Sequence, residues 1–320
     1  MQYDKDTRPE HVSTQTAEVL VEAMPWFKNC TGKTIVIKYG GAAMVDEKLR
    51  ASVMADIVLL KLIGVKPVIV HGGGKAISKA MENANLDVQF IDGQRVTTPR
   101  AMSIVREVLV GTVNQDLVQE MNEHGNIAVG ISGADAGTII AEQMDEAHQR
   151  VGRVTQVNTA LIDNLVQADF IPVIASIAMG EDGGAFNVNA DVVAGAVAAA
   201  IGASKVVFLS DVDGLYENFE DKSTFISRLT LEECRAMAKS ENVSTGMIPK
   251  LQSCVHALEA GVHRAHMING TTPHALLLEL LTDKGIGTMV AGADTNEQAF
   301  ASENLTEFAQ RLTARGGLER

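Results

Sequence analysis

The chain has 320 residues, a length that fits one large α/β domain or two lobes. Its composition is that of an ordinary globular protein, and a formal net charge of −13 argues against a nucleic-acid-binding surface and against anionic membranes. Cys30, Cys234 and Cys254 form no C-x-x-C pair, which predicts neither a disulfide framework nor a zinc site and fits a reducing cytosol.

The N-terminal segment predicts a helix that precedes the main fold. It begins MQYDKDTRPEHVSTQ, which is polar and lacks the apolar core of a signal peptide, and the longest apolar stretch of the chain, VVAGAVAAAIGA, is too short to span a bilayer. We therefore expect a cytoplasmic protein. Residues 16–29 place Val19, Leu20, Met24 and Phe27 on one side of the predicted helix. This helix either docks on its own domain or packs against a partner subunit.

Short apolar runs then alternate with helical patterns. Continuous Val and Ile runs between helices are typical of buried parallel strands with helices on both faces. The predicted fold class is α/β, a three-layer αβα open, mainly parallel sheet. The strand-like segments are 33–39, 66–74, 126–137, 169–176, 204–214 and 264–270. The helical segments are 49–64, a segment beginning near Ala76, 99–123, 190–202, 230–239, 247–260 and 272–281.

Two boundaries divide the chain. One precedes the first strand, and the other lies near 200–204, where AAAIGAS ends a helix and a new strand–turn series begins. We therefore expect an N-terminal helical extension over 1–30, an N-lobe over 31–203 and a C-lobe over 204–320.

Two glycine loops follow strands and precede helices. Gly40-Gly41 comes directly after the strand that carries Lys38, and Gly72-Gly73-Gly74 follows the next strand. Backbone N–H groups without side chains, backed by a helix N-terminus, form an anion site for a phosphate or a carboxylate. A tight strand-to-helix turn is the alternative for either loop alone, but the two loops together with Lys38 favour the anion site.

The second loop matches neither of two common nucleotide-binding fingerprints. In a Walker motif, Ile69 would stand at the first glycine position and Ala76 at the hydroxyl position. In the dinucleotide fingerprint, Ile77 would stand at the third glycine position. The sequence therefore argues against a Walker-type ATPase and against a nicotinamide-dependent dehydrogenase.

Three later segments carry polar residues with two interpretations each. FNVNADVVAG contains Asn187, Asn189 and Asp191, which are more polar residues than a helix cap needs. SDVDGLY, from Ser210, carries two acids and a turn glycine, and a plain β-turn is its alternative. TGMIPK places Lys250 near a helix N-terminus, where a cation is disfavoured unless an anion lies between them. A solvated surface lysine is the alternative there.

One arginine and three histidines are further candidates. Arg95, in DGQRVTT, would clamp a carboxylate in bidentate fashion, and a solvent-exposed arginine is the alternative. His71 is expected to pack the loop rather than act as a base. His263 and His266 lack cysteine or carboxylate partners at zinc spacing, so they predict no metal site.

In their order along the chain, these motifs resemble the amino-acid kinase family and, within it, the acetylglutamate kinases. The resemblance runs from about residue 16 to 293 and covers VIKYGGAAM, VIVHGGG, DGQRVT, NVNADVVAG, FLSDVDGLY, TGMIPK and HMING with GIGT. GQRVT and NVNAD point to the acetylglutamate branch. The chain departs from the family pattern at Lys75-Ala76, where proline and glutamine are common, and at Ala134, where a lysine is common. These departures affect fine substrate contacts rather than the reaction.

The resemblance implies phosphoryl transfer from ATP, with Mg2+, to the γ-carboxylate of N-acetyl-L-glutamate. It implies that Lys38 and Lys250 are catalytic and that Asp191 holds them. It implies acetylglutamate binding in the N-lobe by Gly73, Gly74, Arg95 and Asn187. It implies nucleotide binding, mainly in the C-lobe, by Gly40, Gly41, Ser210, Asp211, Asp213 and Lys250. It implies no metal site made by protein ligands alone.

The resemblance also implies feedback inhibition by L-arginine. Arginine-sensitive members of the family carry an N-terminal extension that interlaces into a homohexamer, a trimer of dimers. By that resemblance the arginine pocket would be lined by His266, Glu279, Gly285, Gly287 and Trp26. Two alternatives stay open: a kinase of the same fold that acts on glutamate or aspartate, and a non-catalytic arginine sensor. The presence of both lysines argues against the sensor.

Overall fold

The computed structural model describes residues 10–44, 46–218, 220–240, 247–283 and 285–292. Its first helices and strands are α1 (Glu10–Cys30), β1 (Thr34–Tyr39), α2 (Glu47–Leu62), β2 (Lys66–His71), α3 (Gly74–Asn83), β3 (Phe90–Ile91), β4 (Gln94–Arg95), α4 (Pro99–Arg106), a π-helical segment (Glu107–Asn114), α5 (Gln115–Asn122), β5 (Ala128–Ser132), β6 (Ile139–Gln143) and β7 (Gly152–Val157). They are followed by α6 (Ala160–Gln167), β8 (Ile171–Ala175), β9 (Ile177–Gly180), β10 (Ala185–Asn187), α7 (Ala190–Ala200), β11 (Lys205–Ser210), β12 (Leu215–Tyr216), β13 (Phe225–Ile226), β14 (Arg228–Thr230), α8 (Leu231–Met237), α9 (Ile248–Glu259), β15 (Arg264–Asn269), α10 (Ala275–Leu280) and β16 (Thr288–Ala291).

Eight strands form one sheet, in the order β14-β16-β15-β11-β1-β2-β8-β5. Neighbouring strands from β15 to β5 are parallel, whereas β16 is antiparallel to β15 and β14 is parallel to β16. The sheet is therefore mainly parallel, as the sequence predicted. Strand β1 lies in its middle, between β2 and β11, so both halves of the chain contribute to the same sheet.

The central strand is buried on both faces, which accounts for its continuous apolar run. Val36 belongs to a core cluster that includes residues of α7 and α9. Ile35 and Ile37 belong to a second cluster that includes residues of α2 and α10. Because successive side chains of a strand point to opposite faces, helices cover both sides of the sheet. The predicted three-layer αβα architecture is confirmed.

Every predicted strand-like segment contains a strand, but several strands end before the segment does. The run 66–74 ends as a strand at His71, and the run 126–137 ends at Ser132, because glycine-containing turns follow at both places. The predicted helices are all present. The long helix predicted over 99–123 contains the π-helical segment Glu107–Asn114, which the sequence did not predict.

Several short strands were not predicted from the sequence. Strands β10, β9, β6 and β7 form a second sheet in that order, and β3 and β4 form a hairpin. Asp92 and Gly93 at the hairpin turn both have positive φ, 48° and 77°, as the tight turns of two-residue hairpins require. Strands this short and only partly buried carry too little apolar periodicity to be read from the sequence alone.

Helix α1 is present where the sequence predicted a helix over 16–29. Its exposed apolar residues include Val19 and Leu20, which are 64% and 58% exposed. Trp26 and Phe27, by contrast, are partly buried against the core cluster on one face of the sheet. The last turns of α1 therefore pack on their own domain, one of the two alternatives that the sequence left open, while the exposed apolar side chains lie in the preceding turns. Within the described ranges, no helix combines the length and the apolarity that crossing a bilayer requires.

Candidate active site

Three neighbouring strands bring the predicted site residues to one edge of the sheet. Strand β1 pairs in parallel with β2 on one side and with β11 on the other. The first glycine loop follows β1, the second follows β2, and Ser210 is the last residue of β11. Ligands of open α/β sheets bind at this edge, where the carboxyl ends of the parallel strands meet.

Asp191 joins the two lysines that the sequence predicted as catalytic. Its Oδ1 atom lies 3.0 Å from Nζ of Lys38, and its Oδ2 atom lies 2.9 Å from Nζ of Lys250. The three side chains are largely buried, with exposed fractions of 12% for Lys38, 7% for Asp191 and 16% for Lys250. Strand β1, helix α7 and helix α9 therefore place three residues from distant parts of the sequence in direct contact.

The carboxylate of Asp191 stays ionised between these lysines. Burial by itself would raise its pKa, but the charges of Lys38 and Lys250 and their hydrogen bonds lower it. The side chain of Asn189 caps α7 and accepts a bond of 2.8 Å from the Asp191 N–H, which fixes Asp191 in the first turn. One negative charge therefore holds two positive ones, and the trio keeps a net positive charge.

The first glycine loop allows polar side chains to approach the backbone closely. A Cβ atom on Gly40 would lie 2.9 Å from Nζ of Lys38. A Cβ atom on Gly41 would lie 2.3 Å from Oδ1 of Asp211, and Gly41 has a φ of +76°, which favours glycine. The loop therefore lies directly beside one lysine and one carboxylate.

The second glycine loop forms the N-terminus of α3. Gly73 is the N-cap residue and offers no side chain to the first N–H groups of the helix, which leaves them available for an anion. A Cβ atom on Gly73 would lie 2.7 Å from Cδ2 of Leu109, in the π-helical segment. A side chain at this position would require the Leu109 side chain to move.

Arg95 is held rigidly beside the second glycine loop. Its Nη2 group donates to the carbonyl of Gly74 at 2.8 Å and to Oγ of Ser78 at 2.7 Å. The guanidinium carbon lies 4.8 Å from the ring centroid of Phe90, a cation–π arrangement. Arg95 is 7% exposed, so the alternative of a solvent-exposed arginine is wrong.

A cavity of about 470 Å³ opens in front of these groups. Gly41, Gly73, Gly74 and Arg95 line it, together with the apolar side chains of Met44, Phe90, Val113 and Leu117. Arg50, Lys75 and Asp116 also line it. The cavity therefore combines backbone donors, two guanidiniums, one ammonium group, one carboxylate and an apolar wall, which suits a small organic anion.

Asn187 does not line this cavity. It is the last residue of β10, and its Nδ2 group donates to Oγ1 of Thr97 at 3.1 Å. Thr97 Oγ1 in turn donates to the carbonyl of Arg95 at 3.0 Å. Asn187 is thus connected to the arginine through Thr97.

Three of the residues predicted for the nucleotide, Ser210, Asp211 and Asp213, lie at the end of β11 and in the loop that follows it. The Ser210 hydroxyl is engaged with the carbonyl of Val212, 3.1 Å away, and serves the turn itself. The carboxylate of Asp213 accepts bonds from Asn269 Nδ2 at 2.7 Å and from the Tyr216 hydroxyl at 3.0 Å, and these bonds lower its pKa. Residues 241–246, which include the start of the TGMIPK motif, lie outside the described residues.

The acidic groups of this region suit an ion that arrives with a nucleotide. No cluster of three or more histidine, cysteine or acidic side chains suited to a metal occurs in the described part of the chain. Mg2+ characteristically keeps waters and substrate phosphates among its ligands and uses one or two carboxylates. Asp211 and Asp213 are the carboxylates that fit this requirement.

Four of the five residues predicted for arginine, His266, Glu279, Gly285 and Gly287, meet at β15, whereas Trp26 is placed only as part of the core cluster around α2 and α10. Nδ1 of His266 lies 2.6 Å from Oε1 of Glu279, and Oε2 of Glu279 accepts the N–H groups of Ile286 and Gly287 at 2.8 and 2.9 Å. Burial would raise the pKa of Glu279, but these bonds lower it. A Cβ atom on Gly285 would lie 2.7 Å from the same Oε2.

Three residues that interact with the predicted groups were not predicted from the sequence. Ser78 lies four positions after Gly74 and therefore on the same face of α3. That spacing is visible in the sequence and could have indicated that Ser78 lies near the glycine loop. Asn269 is part of HMING but was not assigned a role. Lys205 is half-buried; desolvation lowers its pKa, and Glu279 is among the charges that act on it. Nothing in the sequence at the start of β11 indicated that Lys205 lies near the predicted arginine residues.

Comparison with known proteins identifies the family. Residues 33–269 match the model of the Amino acid kinase family. The acetylglutamate kinase of Petrotoga mobilis is 47% identical over 293 residues, which cover 90% of this chain and 96% of the relative. The acetylglutamate kinase of Thermosynechococcus vestitus is 47% identical over 277 residues, covering 86% of this chain and 94% of the relative.

Solved structures share the fold at lower identity. N-acetylglutamate synthase from Neisseria gonorrhoeae, complexed with coenzyme A and N-acetyl-glutamate, aligns with a TM-score of 0.76 at 24% identity and covers 92% of this chain and 70% of its own. Carbamate kinase from Giardia lamblia bound to AMP-PNP aligns with a TM-score of 0.62 at 16% identity and covers 82% of this chain and 99% of its own. At these identities the likeness concerns the fold alone.

Proposed function

We propose that the acceptor of this enzyme is N-acetyl-L-glutamate, since the chain belongs to the acetylglutamate kinase branch of the amino acid kinase family. The members of that branch are phosphotransferases with a carboxyl group as acceptor. The γ-carboxylate oxygen of the acceptor attacks the terminal phosphorus of ATP, the bond from that phosphorus to the bridging oxygen breaks, and ADP leaves. The products are N-acetyl-L-glutamyl 5-phosphate and ADP.

The observation that carries this proposal is the contact of Lys38 and Lys250 with Asp191 at the edge of the sheet. Phosphoryl transfer depends mainly on positioning and on electrostatic stabilisation of charge spread over the transferring group. Two preorganised ammonium groups and the backbone donors of two glycine loops supply both. The side-chain carboxylate of glutamate has an ordinary pKa of about 4.3 and is ionised at neutral pH, so the nucleophile needs no general base.

The cavity beside Arg95 suits the proposed acceptor. The guanidinium offers donors to the α-carboxylate, and a fixed planar fork is the preferred partner for that group. The apolar side chains of Met44, Val113 and Leu117 suit an acetyl group. Asp116 also lines the cavity and is a carboxylate that an α-ammonium group could face, so the preference for the acetylated acceptor rests on these apolar side chains and on the acetylglutamate kinase relatives.

ATP with Mg2+ would bind in the loop after β11. Asp211 belongs to this loop, and its carboxylate lies against Gly41 of the first glycine loop. The two loops therefore meet at Asp211. When bound, Mg2+ supplies positive charge to the phosphates, and Asp211 and Asp213 would hold it. We propose accordingly that residues 31–203 bind mainly the acceptor and residues 204–320 mainly the nucleotide.

We also propose that L-arginine inhibits the enzyme through the group around Glu279. Glu279 is ionised, so Nδ1 of His266 donates to it and Nε2 is left as an acceptor. That Nε2 atom is buried and has no hydrogen-bond partner in the described structure, so a guanidinium N–H would satisfy it. The exposed apolar side of α1, near Val19 and Leu20, would pack against the same helix of another subunit in a homohexamer.

The first experiment is an ATP-dependent hydroxamate assay with Mg2+ and a panel of acceptors: N-acetyl-L-glutamate, L-glutamate and L-aspartate. Hydroxylamine traps the acyl phosphate, so the assay reports the product of transfer to a carboxyl group. We expect N-acetyl-L-glutamate to be far the best acceptor. Equal or faster turnover of free glutamate or aspartate would refute the acceptor and leave the kinase assignment intact. Turnover of none of the three would favour the arginine sensor.

A further inference from the structure

The carbonyl of Gly72 forms a hydrogen bond with the side chain of a buried histidine. His71 is fully buried, and its Nδ1 atom lies 3.0 Å from that carbonyl oxygen. A carbonyl is only an acceptor, so Nδ1 must carry the proton. Burial lowers the pKa of His71 to about 4, so the ring is neutral at physiological pH.

The other ring nitrogen is held by Asn114, the last residue of the π-helical segment. Nδ2 of Asn114 lies 2.9 Å from Nε2 of His71 and also donates to the carbonyl of Val173 at 2.9 Å. Since that nitrogen is a donor, Nε2 of His71 must be the acceptor. The two contacts therefore select the Nδ1–H tautomer of His71.

The amide of Asn114 is only partly satisfied in this position. Its Oδ1 atom is buried without a hydrogen-bond partner in the described structure, and a Cβ atom on Gly130 would lie only 2.0 Å from it. A buried unsatisfied acceptor destabilises the folded state by roughly 1–3 kcal/mol. An apolar side chain would avoid that cost but would remove the donor to His71 and to the carbonyl of Val173, so the amide is explained by these bonds rather than by packing.

The hydrogen bond to the Gly72 carbonyl also sets the direction of the next N–H group, that of Gly73. In a trans peptide, the carbonyl of Gly72 and the N–H of Gly73 point in opposite directions. Fixing the carbonyl towards His71 therefore fixes the Gly73 N–H away from it. Gly73 lines the cavity beside Arg95, and its N–H makes no backbone hydrogen bond in the described chain.

The same π-helical segment also supports Gly73 directly, because Leu109 lies against its Cα atom. We propose that His71, held by Asn114, is a positioning residue for phosphoryl transfer: it aims the Gly73 N–H at the reacting anion. The proposal rests on the proposed function, in which that N–H stabilises the transferring phosphoryl group or the attacking carboxylate.

Two substitutions test the proposal through kinetics. His71→Leu removes the donor, whereas His71→Asn keeps an amide N–H near the position of Nδ1. Misaiming one preorganised donor should lower kcat about 10- to 100-fold in His71→Leu, with little change in KM for ATP. His71→Asn should recover most of that loss. The matched control is Ile69→Ala, which alters the same buried strand and should leave kcat of the folded enzyme near the wild-type value.

A spectroscopic measurement needs no substrate. Protein labelled with 13C-carbonyl glycine and 15N-glycine gives a carbonyl–amide correlation only where glycine follows glycine, which in this sequence is Gly41, Gly73, Gly74, Gly184 and Gly317. In His71→Leu the carbonyl signal of Gly72, seen through Gly73, should move upfield, while the correlations of Gly41 and Gly184 stay in place. The imidazole 15N shifts of the wild-type protein should show the Nδ1–H tautomer.

These measurements separate the possible failures. A kcat of His71→Leu within twofold of wild type, or an Nε2–H tautomer in the wild-type protein, overturns the positioning role. If His71→Leu does not fold, the wild-type tautomer decides the question. If free glutamate or aspartate proves to be the acceptor, the kcat comparison is made with that acceptor, so loss of the acetylglutamate assignment and loss of the His71 role remain different results.

Discussion

Nζ of Lys250 lies 2.9 Å from Oδ2 of Asp191, although 59 positions separate the two residues in the sequence. Lys38 approaches the other carboxylate oxygen at 3.0 Å. A lysine in the first turn of a helix is disfavoured by the helix dipole, and Asp191 supplies the anion that compensates for it. The arrangement fixes two ammonium groups before any substrate arrives.

Replacing either lysine should lower turnover more than binding. Lys38→Ala and Lys250→Ala each remove one preorganised charge that acts on the transition state. The expected loss in kcat is about 10²–10³-fold, with smaller changes in KM, measured by steady-state kinetics with ATP and N-acetyl-L-glutamate. The control is Lys79→Ala, an exposed lysine on α3, which should behave as wild type. A change confined to KM in either variant would contradict the assigned role.

Asp191→Asn should separate charge from shape. The amide has nearly the volume of the carboxylate but cannot neutralise two buried ammonium groups. We expect a loss of kcat comparable to that of a lysine variant, because both lysines lose their common partner. We also expect a lower midpoint of thermal unfolding, measured by calorimetry. Unchanged kcat would mean that the lysines are held by other groups.

Arg95 should affect the acceptor and not the nucleotide. Arg95→Ala should raise KM for N-acetyl-L-glutamate strongly and leave KM for ATP nearly unchanged. Arg95→Lys should rescue little, because a lysine cannot reproduce the fork that contacts Gly74 and Ser78 while facing a carboxylate. Ser78→Ala provides a milder variant with the same direction of effect. Equal increases in both KM values would argue against a specific contact with the acceptor.

Removing the exposed part of α1 should uncouple arginine inhibition from catalysis. Deletion of residues 1–21 removes Val19 and Leu20 but keeps Trp26 and Phe27, which pack on the core. We expect smaller particles by light scattering, retained activity and a much higher arginine concentration for half-inhibition. The matched variant is Leu20→Asp in the full-length chain. If both proteins kept full size and full inhibition, neither the interface nor the arginine proposal would hold in its present form.

His71 should make the fold sensitive to acid. Its pKa falls from an ordinary 6.5 to about 4 in the folded protein, because burial disfavours the charged ring. Stability from the neutral ring is therefore fully present above pH 6.5 and is lost as the pH falls towards 4. Between pH 7 and pH 5 the loss is about 2 kcal/mol of unfolding free energy. Urea unfolding at both pH values should show this loss in the wild-type protein and a loss smaller by about that amount in His71→Asn.

Sequence alone was sufficient for six strands of the eight-stranded sheet, but β14 and β16 at one edge were not predicted. Apolar runs ending in glycines predicted β1, β2 and β11, because strands buried on both faces need continuous apolar residues. Parallel order then placed Lys38 and both glycine loops at one edge. The half-exposed strands of the smaller sheet, such as β7, lacked that signal and were missed.

Only the tertiary structure decided which polar residues meet. No spacing in the sequence relates Asn114 to His71, since they meet through the pairing of separate strands and through an unpredicted π-helical segment. Asn187 was expected in the acceptor site, yet it bonds to Thr97 instead of lining the cavity. The sequence determined the buried strands and the helices that flank them, because periodicity and glycine act locally. Distances between side chains from distant elements depend on packing, which only the folded chain specifies.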